Sequence, residues 1–333
     1  MVRFGLFGCG RIGRMHADAI ASHPRARLAA VFDVVPAAAD AVAARHGCTV
    51  ARDVDELLGN NEVDAVLIAS STDTHVDLIT RAARAGKAIL CEKPIDLDIA
   101  RVDACWKEIQ PLSPIVQIGF NRRFDPSFQA VRTALTAGEI GRLELLVITS
   151  RDPGPPPAAY LKVSGGLFRD MMIHDFDLAR FMLGEEPVAV SAMASVMVDP
   201  EIGRLGDIDT AMVTLKAASG ALVHINCSRR AVYGYDQRLE AFGEQGMLQV
   251  GNRRATTLRR WGTATTEAQD PLLDFFIERY AEAYRAELDA FIDAVTEGRP
   301  VPVGFEDGRR ALLLADAALE ALNSGRTIEL KGN

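Results

Sequence analysis

The sequence predicts an α/β protein: a doubly wound parallel sheet at the N-terminus, followed by an α+β region built on a large, mostly antiparallel open sheet. Three observations carry this. Apolar, strand-like runs alternate with helical patterns through about residue 122. A glycine-rich turn within "GLFGCGRIGRMHA" (5–17) joins the first run to the first helix. Beyond the midpoint, strand-like runs follow one another through short turns, with one strong helical stretch from about 166 to 183. At 333 residues the chain exceeds one ordinary core, so two domains are expected. The rhythm puts them at 1–122 and 123–333, with a C-terminal helix available to pack back on the first.

"VRFGLFG" is a nearly continuous apolar run ending in glycine, the pattern of a strand buried on both faces. From 11 to 22 the apolar residues recur at helical spacing. "ARLAAVFD" (26–33) is a second strand, ending in Asp33. "PAAADAVAARHG" (36–47) opens with proline and stops at glycine, the marks of a helix start and stop. "VDAVLIAS" (63–70) is a third strand, 74–85 a helix, "KAILCEKP" a strand, "LDIARVDACWKEI" a helix and "IVQIGF" a strand.

The second half begins with a helix near 126–137 and the alternating strand "RLELLVITSRD". A proline-rich turn, "DPGPPPAAY" (152–160), leads to the helix at 166–183. Then come "VAVSAMASVMV", "DTAMVTLKAASGALVHINCSR" and "QRLEAFGEQGMLQV", with hairpin turns at 219–220 and 243–246. Two helices, roughly 275–297 and 306–323, close the chain. A sheet with a helix on one face needs a cover on the other, which a second subunit would supply.

Composition is that of a globular protein, 48% hydrophobic and 25% charged. A net charge of −8 argues against nucleic acid or an anionic membrane as partner. The five cysteines form no C-x-x-C pair, so neither a zinc knuckle nor a disulfide framework is expected, and reduced thiols fit a cytoplasmic location. The N-terminus does not read as a signal peptide, and no run approaches the ~18–20 apolar residues of a membrane span.

Gly8, Gly10 and Gly13 make G-x-G-x-x-G between a buried strand and a helix, and Asp33 ends the next strand 20 positions after Gly13. Glycines permit a tight turn and close approach to a pyrophosphate, which the helix N-terminus, opening with Arg11 and Ile12, attracts. Asp33 would accept hydrogen bonds from ribose hydroxyls and repel a 2′-phosphate, favouring NAD over NADP. Arg11 and Arg14 pull the other way, and a plain βαβ turn with a solvated aspartate is the bland alternative. "SSTDTH" (70–75) follows the third strand, at the sheet end where ligands bind. Ser70 and Thr72 would lie near the cofactor. His75 would either touch its nicotinamide end or serve only as an N-terminal helix residue.

"CEKPI" (91–95) also ends a strand, bringing Glu92 and Lys93 toward the same edge. Proline restrains Lys93, so its amine can be held against a reacting oxygen; an ordinary surface lysine is the alternative. In "GGLFRDMMIHDFDLARFML" (165–183), Asp170 and His174 stand four apart, which places both on one face of a continuous helix. Histidine takes protons near neutral pH, and charged groups on an apolar stripe need a partner or a use. A core histidine, a structural ion pair, or a metal site with Asp175 would look similar. One histidine and scattered carboxylates give no metal cage, so no metal is expected.

Taken in order, the N-terminal G-x-G-x-x-G, "EKP" and "GG-x-F-x-D-x-x-x-H-D" resemble the Gfo/Idh/MocA oxidoreductase family over essentially the whole chain. Within it, "CEKPIDLD", "GFNRRFDPSF", "SRDPGPPP", "SGGLFRDMMIHDFDLARFMLGEEPV" and "SRRAVYGYDQR" are most similar to the inositol 2-dehydrogenases. The resemblance implies an N-terminal Rossmann domain. It also implies NAD-dependent oxidation of myo-inositol to 2-keto-myo-inositol (scyllo-inosose). By that likeness His174 takes the hydroxyl proton, Lys93 hydrogen-bonds the same oxygen, and Asp170 positions substrate. Gly8, Gly10, Arg11, Ile12, Gly13, Asp33, Ser70, Thr72, His75, Glu92 and Lys93 would face the cofactor. Arg123, Asp152 and Tyr235 would contact the polyol, with Arg122 and Tyr233 open alternatives. A homotetramer is implied. The competing readings are a dehydrogenase of another polyol or sugar (scyllo-inositol, D-chiro-inositol, glucose) and a nucleotide-binding protein without catalysis.

Overall fold

The computed structural model describes residues 1–330. The chain divides into two compact units. One holds Met1–Asn121 and Ala283–Leu312; the other holds Arg122–Glu282 and the chain from Leu313 onward.

The first unit starts with β1 (Val2–Phe7), whose Phe4 and Leu6 are fully buried. α1 (Arg11–Ser22) follows the glycine turn, then β2 (Ala26–Phe32) and α2 (Pro36–His46). Proline opens α2 and Gly47, at φ 68°, ends it in the left-handed region. β3 (Thr49–Val50) and α3 (Val54–Gly59) were not expected; runs of two and six residues are too short to show a period. β4 (Ala65–Ile68), α4 (His75–Arg84), β5 (Ala88–Cys91), α5 (Ile99–Ile109) and β6 (Val116–Ile118) complete the alternation. All pairs are parallel, in the order β3-β2-β1-β4-β5-β6. β4 and β5 are shorter than the apolar runs suggested, because residues 69–70 and 92–94 leave the sheet as loops at its carboxyl edge.

The second unit starts with α6 (Pro126–Thr136), capped by Asp125, then β7 (Leu143–Arg151) and α7 (Ala158–Leu161). The expected single helix at 166–183 is two: α8 (Gly166–Asp170) and α9 (Ile173–Leu183). The backbone N–H groups of Met171 and Met172 both donate to Leu167 O, at 3.1 and 2.9 Å, so the helical register slips by one residue. Asp170 and His174 therefore do not share a face by continuous i,i+4 spacing. β8 (Pro187–Ser195), α10 (Pro200–Arg204), β9 (Thr210–Ala217), β10 (Leu222–Ser228), β11 (Asp236–Gly243) and β12 (Gly246–Val250) follow. Both expected hairpin turns form. A small ribbon, β13 (Arg259–Arg260) with β14 (Ala268–Gln269), leads to α11 (Phe276–Arg279).

α11 stops at Tyr280, so the first closing helix is also broken; α12 (Ala281–Glu297), α13 (Phe305–Ser324) and β15 (Ile328–Glu329) end the described chain. The larger sheet runs β12-β11-β7-β10-β9-β8-β15, antiparallel except for the β7–β10 pair. In the first unit α12 supplies Leu288, Phe291 and Ile292 to the core, and Phe291 meets Phe4 with ring centroids 5.9 Å apart. Among the described residues no helix is long and apolar enough to cross a membrane, and no cluster of three metal-ligating side chains occurs.

Candidate active site

In the first unit the glycine turn is shaped as a phosphate site must be. Gly8 has φ +92°, and a Cβ there would lie 2.5 Å from Ala69 O. A Cβ on Gly13 would lie 1.9 Å from Gly8 O, so only glycine lets α1 pack this closely on the strand. A Cβ on Gly10 would meet nothing within 4 Å, which leaves that face open to a ligand. Gly10 caps α1 with no side-chain acceptor, and the first turn, with Arg11 and Ile12, carries no acidic residue. A helix N-terminus of this kind attracts an anion through its first-turn N–H groups and partial positive charge. Asp33 Oδ2 accepts from Cys9 N–H at 2.6 Å and Oδ1 from Val35 N–H at 2.8 Å. Burial, and then the charge of Asp33, pushes the Cys9 thiol up to about 12. Turn, helix terminus and carboxylate fit the pyrophosphate and ribose of a dinucleotide.

The loops after β4 and β5 are tied together. Ser70 Oγ and Thr74 Oγ1 are 2.7 Å apart, and Thr72 opens a short turn of helix at 72–74. His75 is buried, with Nδ1 2.8 Å from Pro94 O and Nε2 3.1 Å from Ser70 O. Burial lowers its basicity more than the two carbonyls raise it. Its ring thus joins the 70–74 loop to the cis Lys93–Pro94 turn.

Next to Lys93 in the chain, Glu92 has its Oε1 2.7 Å from His16 Nε2. Burial would lift the Glu92 carboxyl, but the His16 contact and the Lys93 charge hold it below the usual glutamate range. His16 meets Tyr284 edge-on at 5.6 Å. Glu287 is 1% exposed, and neither carboxylate oxygen has a hydrogen-bond partner among the described residues. Burial, then the charge of Glu92, pushes its carboxyl well above the usual value. Neither His16 nor Glu287 carries a local sequence signal; one is a histidine inside α1, the other a glutamate on an alanine-rich helix.

In the second unit Asp170 closes α8 and both its oxygens are engaged. Tyr160 OH donates to Oδ1 at 2.8 Å, and Arg229 Nη1 donates to Oδ2 at 3.2 Å. His174 sits in the first turn of α9, just past the register slip, and is half-buried. Asp152 follows β7; its N–H donates to Ser228 O at 3.0 Å and its carbonyl accepts from Ala231 N–H at 2.7 Å.

The two pairs left open by the sequence separate clearly. Arg123 forks onto Asp177 at 2.8 and 2.6 Å and lies 5.3 Å from the Phe181 ring. Arg122 pairs with the fully buried Asp175, donates to Ser150 Oγ at 3.2 Å, and lies 5.9 Å from the Tyr280 ring. Tyr235 is buried edge-on to Phe275 and Tyr280, at 5.9 and 6.1 Å. Burial raises its hydroxyl pKa far more than Arg122 lowers it. Tyr233 is half-exposed, donating to Asp236 Oδ2 at 2.6 Å and accepting from Arg151 Nη1 at 2.9 Å. Arg122 and Tyr235 thus share one buried aromatic cluster, while Arg123 pairs with Asp177 and the Tyr233 hydroxyl is hydrogen-bonded to Asp236 and Arg151.

Residues 2–120 match the model of the oxidoreductase family NAD-binding Rossmann fold, and residues 128–249 match a GFO/IDH/MocA C-terminal domain. The chain is similar to inositol 2-dehydrogenase of Rhizobium meliloti, with 51% identity over 99% of each chain. It is also similar to the crystal structure of a myo-inositol dehydrogenase from Corynebacterium glutamicum, at 46% identity and TM-score 0.96 over 100% of each chain. A scyllo-inositol dehydrogenase of Lactobacillus casei, crystallised with NAD(H) and scyllo-inositol, superposes with TM-score 0.92 at 30% identity over 99% of each chain. With both family domains in place and this likeness extending over its full length, the chain belongs to the GFO/IDH/MocA oxidoreductase family.

Proposed function

We propose that the protein is an NAD-dependent inositol 2-dehydrogenase that oxidises myo-inositol to 2-keto-myo-inositol in inositol catabolism. The observation that supports this best is Asp170, a carboxylate oriented by two donors one slipped turn before His174, in a chain with full-length likeness to inositol dehydrogenases.

The residues divide the work by their chemistry. Gly10 and the N-terminus of α1 receive the pyrophosphate, and Asp33 the ribose hydroxyls. Arg11, Ile12, Ser70, Thr72 and Glu92 line the cofactor's path, and His75 holds the 70–74 loop to the Lys93–Pro94 turn. NAD, when bound, supplies the hydride acceptor. His174 takes the proton of the reacting hydroxyl. Lys93 donates a hydrogen bond to that oxygen and stabilises the alkoxide charge as it develops. Asp170 orients the ring. Asp152, Tyr235 and a guanidinium from Arg123 or Arg122 bind further hydroxyls, since a polyol is selected by satisfied polar groups.

The protein acts as a homotetramer in this reading. One face of the larger sheet presents Leu222, Leu145, Phe242 and Met247 side by side across four strands, with Met193 beside Met212 further along. Met193 is 79% exposed, and a second copy of the chain is the occupant that such a face suits. A cytoplasmic location agrees with five cysteines that all stand as free thiols.

A panel of myo-inositol, scyllo-inositol, D-chiro-inositol and glucose with NAD or NADP, read at the NADH absorbance band, tests the activity. Turnover highest with myo-inositol and NAD is expected. Turnover of glucose alone, or of nothing, rejects the reading; preference for scyllo-inositol moves the substrate to that of the Lactobacillus casei relative.

A further inference from the structure

We propose that Arg229 is a positioning residue for the reaction, holding the short helix that carries Asp170 at both of its ends. The inference rests on the reading of Asp170 as part of the active site.

Arg229 is among the largest fully buried side chains of the molecule, 1% exposed. Nη1 reaches Asp170 Oδ2 at 3.2 Å, and Nη2 reaches Asp207 Oδ2 at 3.4 Å. Asp207 Oδ1 in turn accepts the N–H of Leu167 at 3.0 Å, in the first turn of α8. A Cβ on Gly166 would lie 2.9 Å from that same oxygen, and Gly165 and Gly166 both stand at φ +83°. One guanidinium therefore grips the last residue of a five-residue helix directly, and its first turn through Asp207.

A helix this short has no stability of its own, so its orientation is set by what holds its ends. The register slip after Asp170 removes the rigidity that a continuous helix into α9 would have lent. Tyr160 OH holds the second Asp170 oxygen, so the carboxylate is aimed by two donors from different segments. Arg229 is itself anchored: its N–H donates to Asp209 O at 2.9 Å. The Asp209 carboxylate accepts three backbone N–H groups, from Met197, Val198 and Asp199.

Arginine suits this task and lysine does not. A planar fork spans two carboxylates, whereas an ammonium is a point charge. Burying a cation between two anions is a costly way to gain stability alone, since apolar packing often does as well.

The test compares R229K, R229M and D207N with wild type, using the polyol from the panel that wild type oxidises. Measured are kcat, KM, the Kd for NAD and the thermal midpoint. A misplaced carboxylate costs turnover, so kcat should fall about 10²-fold in R229M and about tenfold in R229K and D207N. The Kd for NAD should stay within about twofold in all three, because the dinucleotide is held by other residues. Should R229M fail to fold, R229K and D207N decide. Wild-type kcat in both overturns the proposal, as does a lowered thermal midpoint with unchanged kcat per folded chain. Wild-type silence with every polyol rejects the activity reading, and the positioning role with it; an active wild type with unaffected variants rejects only the role of Arg229.

Discussion

The carboxylate of Asp33 accepts a hydrogen bond from the backbone N–H of Cys9 at 2.6 Å, which ties the acidic end of β2 to the glycine turn. The same group that would bind ribose therefore also shapes the phosphate loop. Asp33→Ala should weaken NAD binding about tenfold or more, the scale of a lost hydrogen bond to a charged group. It should weaken NADP binding less, because a repulsive charge disappears with the carboxylate. Titration of both dinucleotides checks this; an unchanged ratio of the two affinities contradicts the ribose role.

Two glycines of one turn should respond in opposite ways. A methyl on Gly10 meets no protein atom within 4 Å, whereas one on Gly13 would lie 1.9 Å from Gly8 O. Gly10→Ala should keep the wild-type thermal midpoint and lose about tenfold or more in NAD affinity, as a group intrudes on the phosphate approach. Gly13→Ala should lower the thermal midpoint itself. Equal stability of the two variants would show that α1 is not held against Gly8 as described.

Lys93 enters the mechanism through its amine alone, at the end of a tightly held turn. Lys93→Ala should leave NAD binding intact and lower kcat by roughly 10²-fold or more, the usual loss for a key electrostatic or acid–base group. Single-turnover NADH formation after mixing with myo-inositol measures it. Wild-type turnover removes Lys93 from the reaction.

Glu287 makes stability depend on pH in a definite direction. Its carboxyl titrates well above the ordinary 4.5, because burial and the Glu92 charge disfavour the anion. Between 4.5 and the raised folded value, the folded chain holds a proton that the unfolded chain has released. Stability therefore falls as pH rises through that window. Glu287→Gln removes this slope. The variant should match wild type near pH 4.5 and have the higher thermal midpoint at pH 8. Parallel curves for the two proteins would mean that the carboxyl is not held neutral.

Legibility in the sequence followed range. β1, α1, β2 and α2 were readable because each is written in neighbouring residues: an apolar run, a helical period, a proline start, a glycine stop. The glycine turn and Asp33 were readable for the same reason, through fixed spacing. The break after Asp170 was not, because both flanking stretches keep helical composition and only the backbone bonds to Leu167 O reveal the slip.

By itself, then, the sequence determined the strand–helix alternation, the dinucleotide turn and the set of chemically capable side chains, all encoded by local period and spacing. Only the tertiary structure decided which of those side chains meet. It paired His16 with Glu92 across 76 positions and Arg229 with Asp170 across 59. It also sent Arg122 and Arg123, adjacent in the chain, to different carboxylates. Such pairings depend on how sheets and helices bring distant residues within a few ångströms and away from water, and no period along the chain records that.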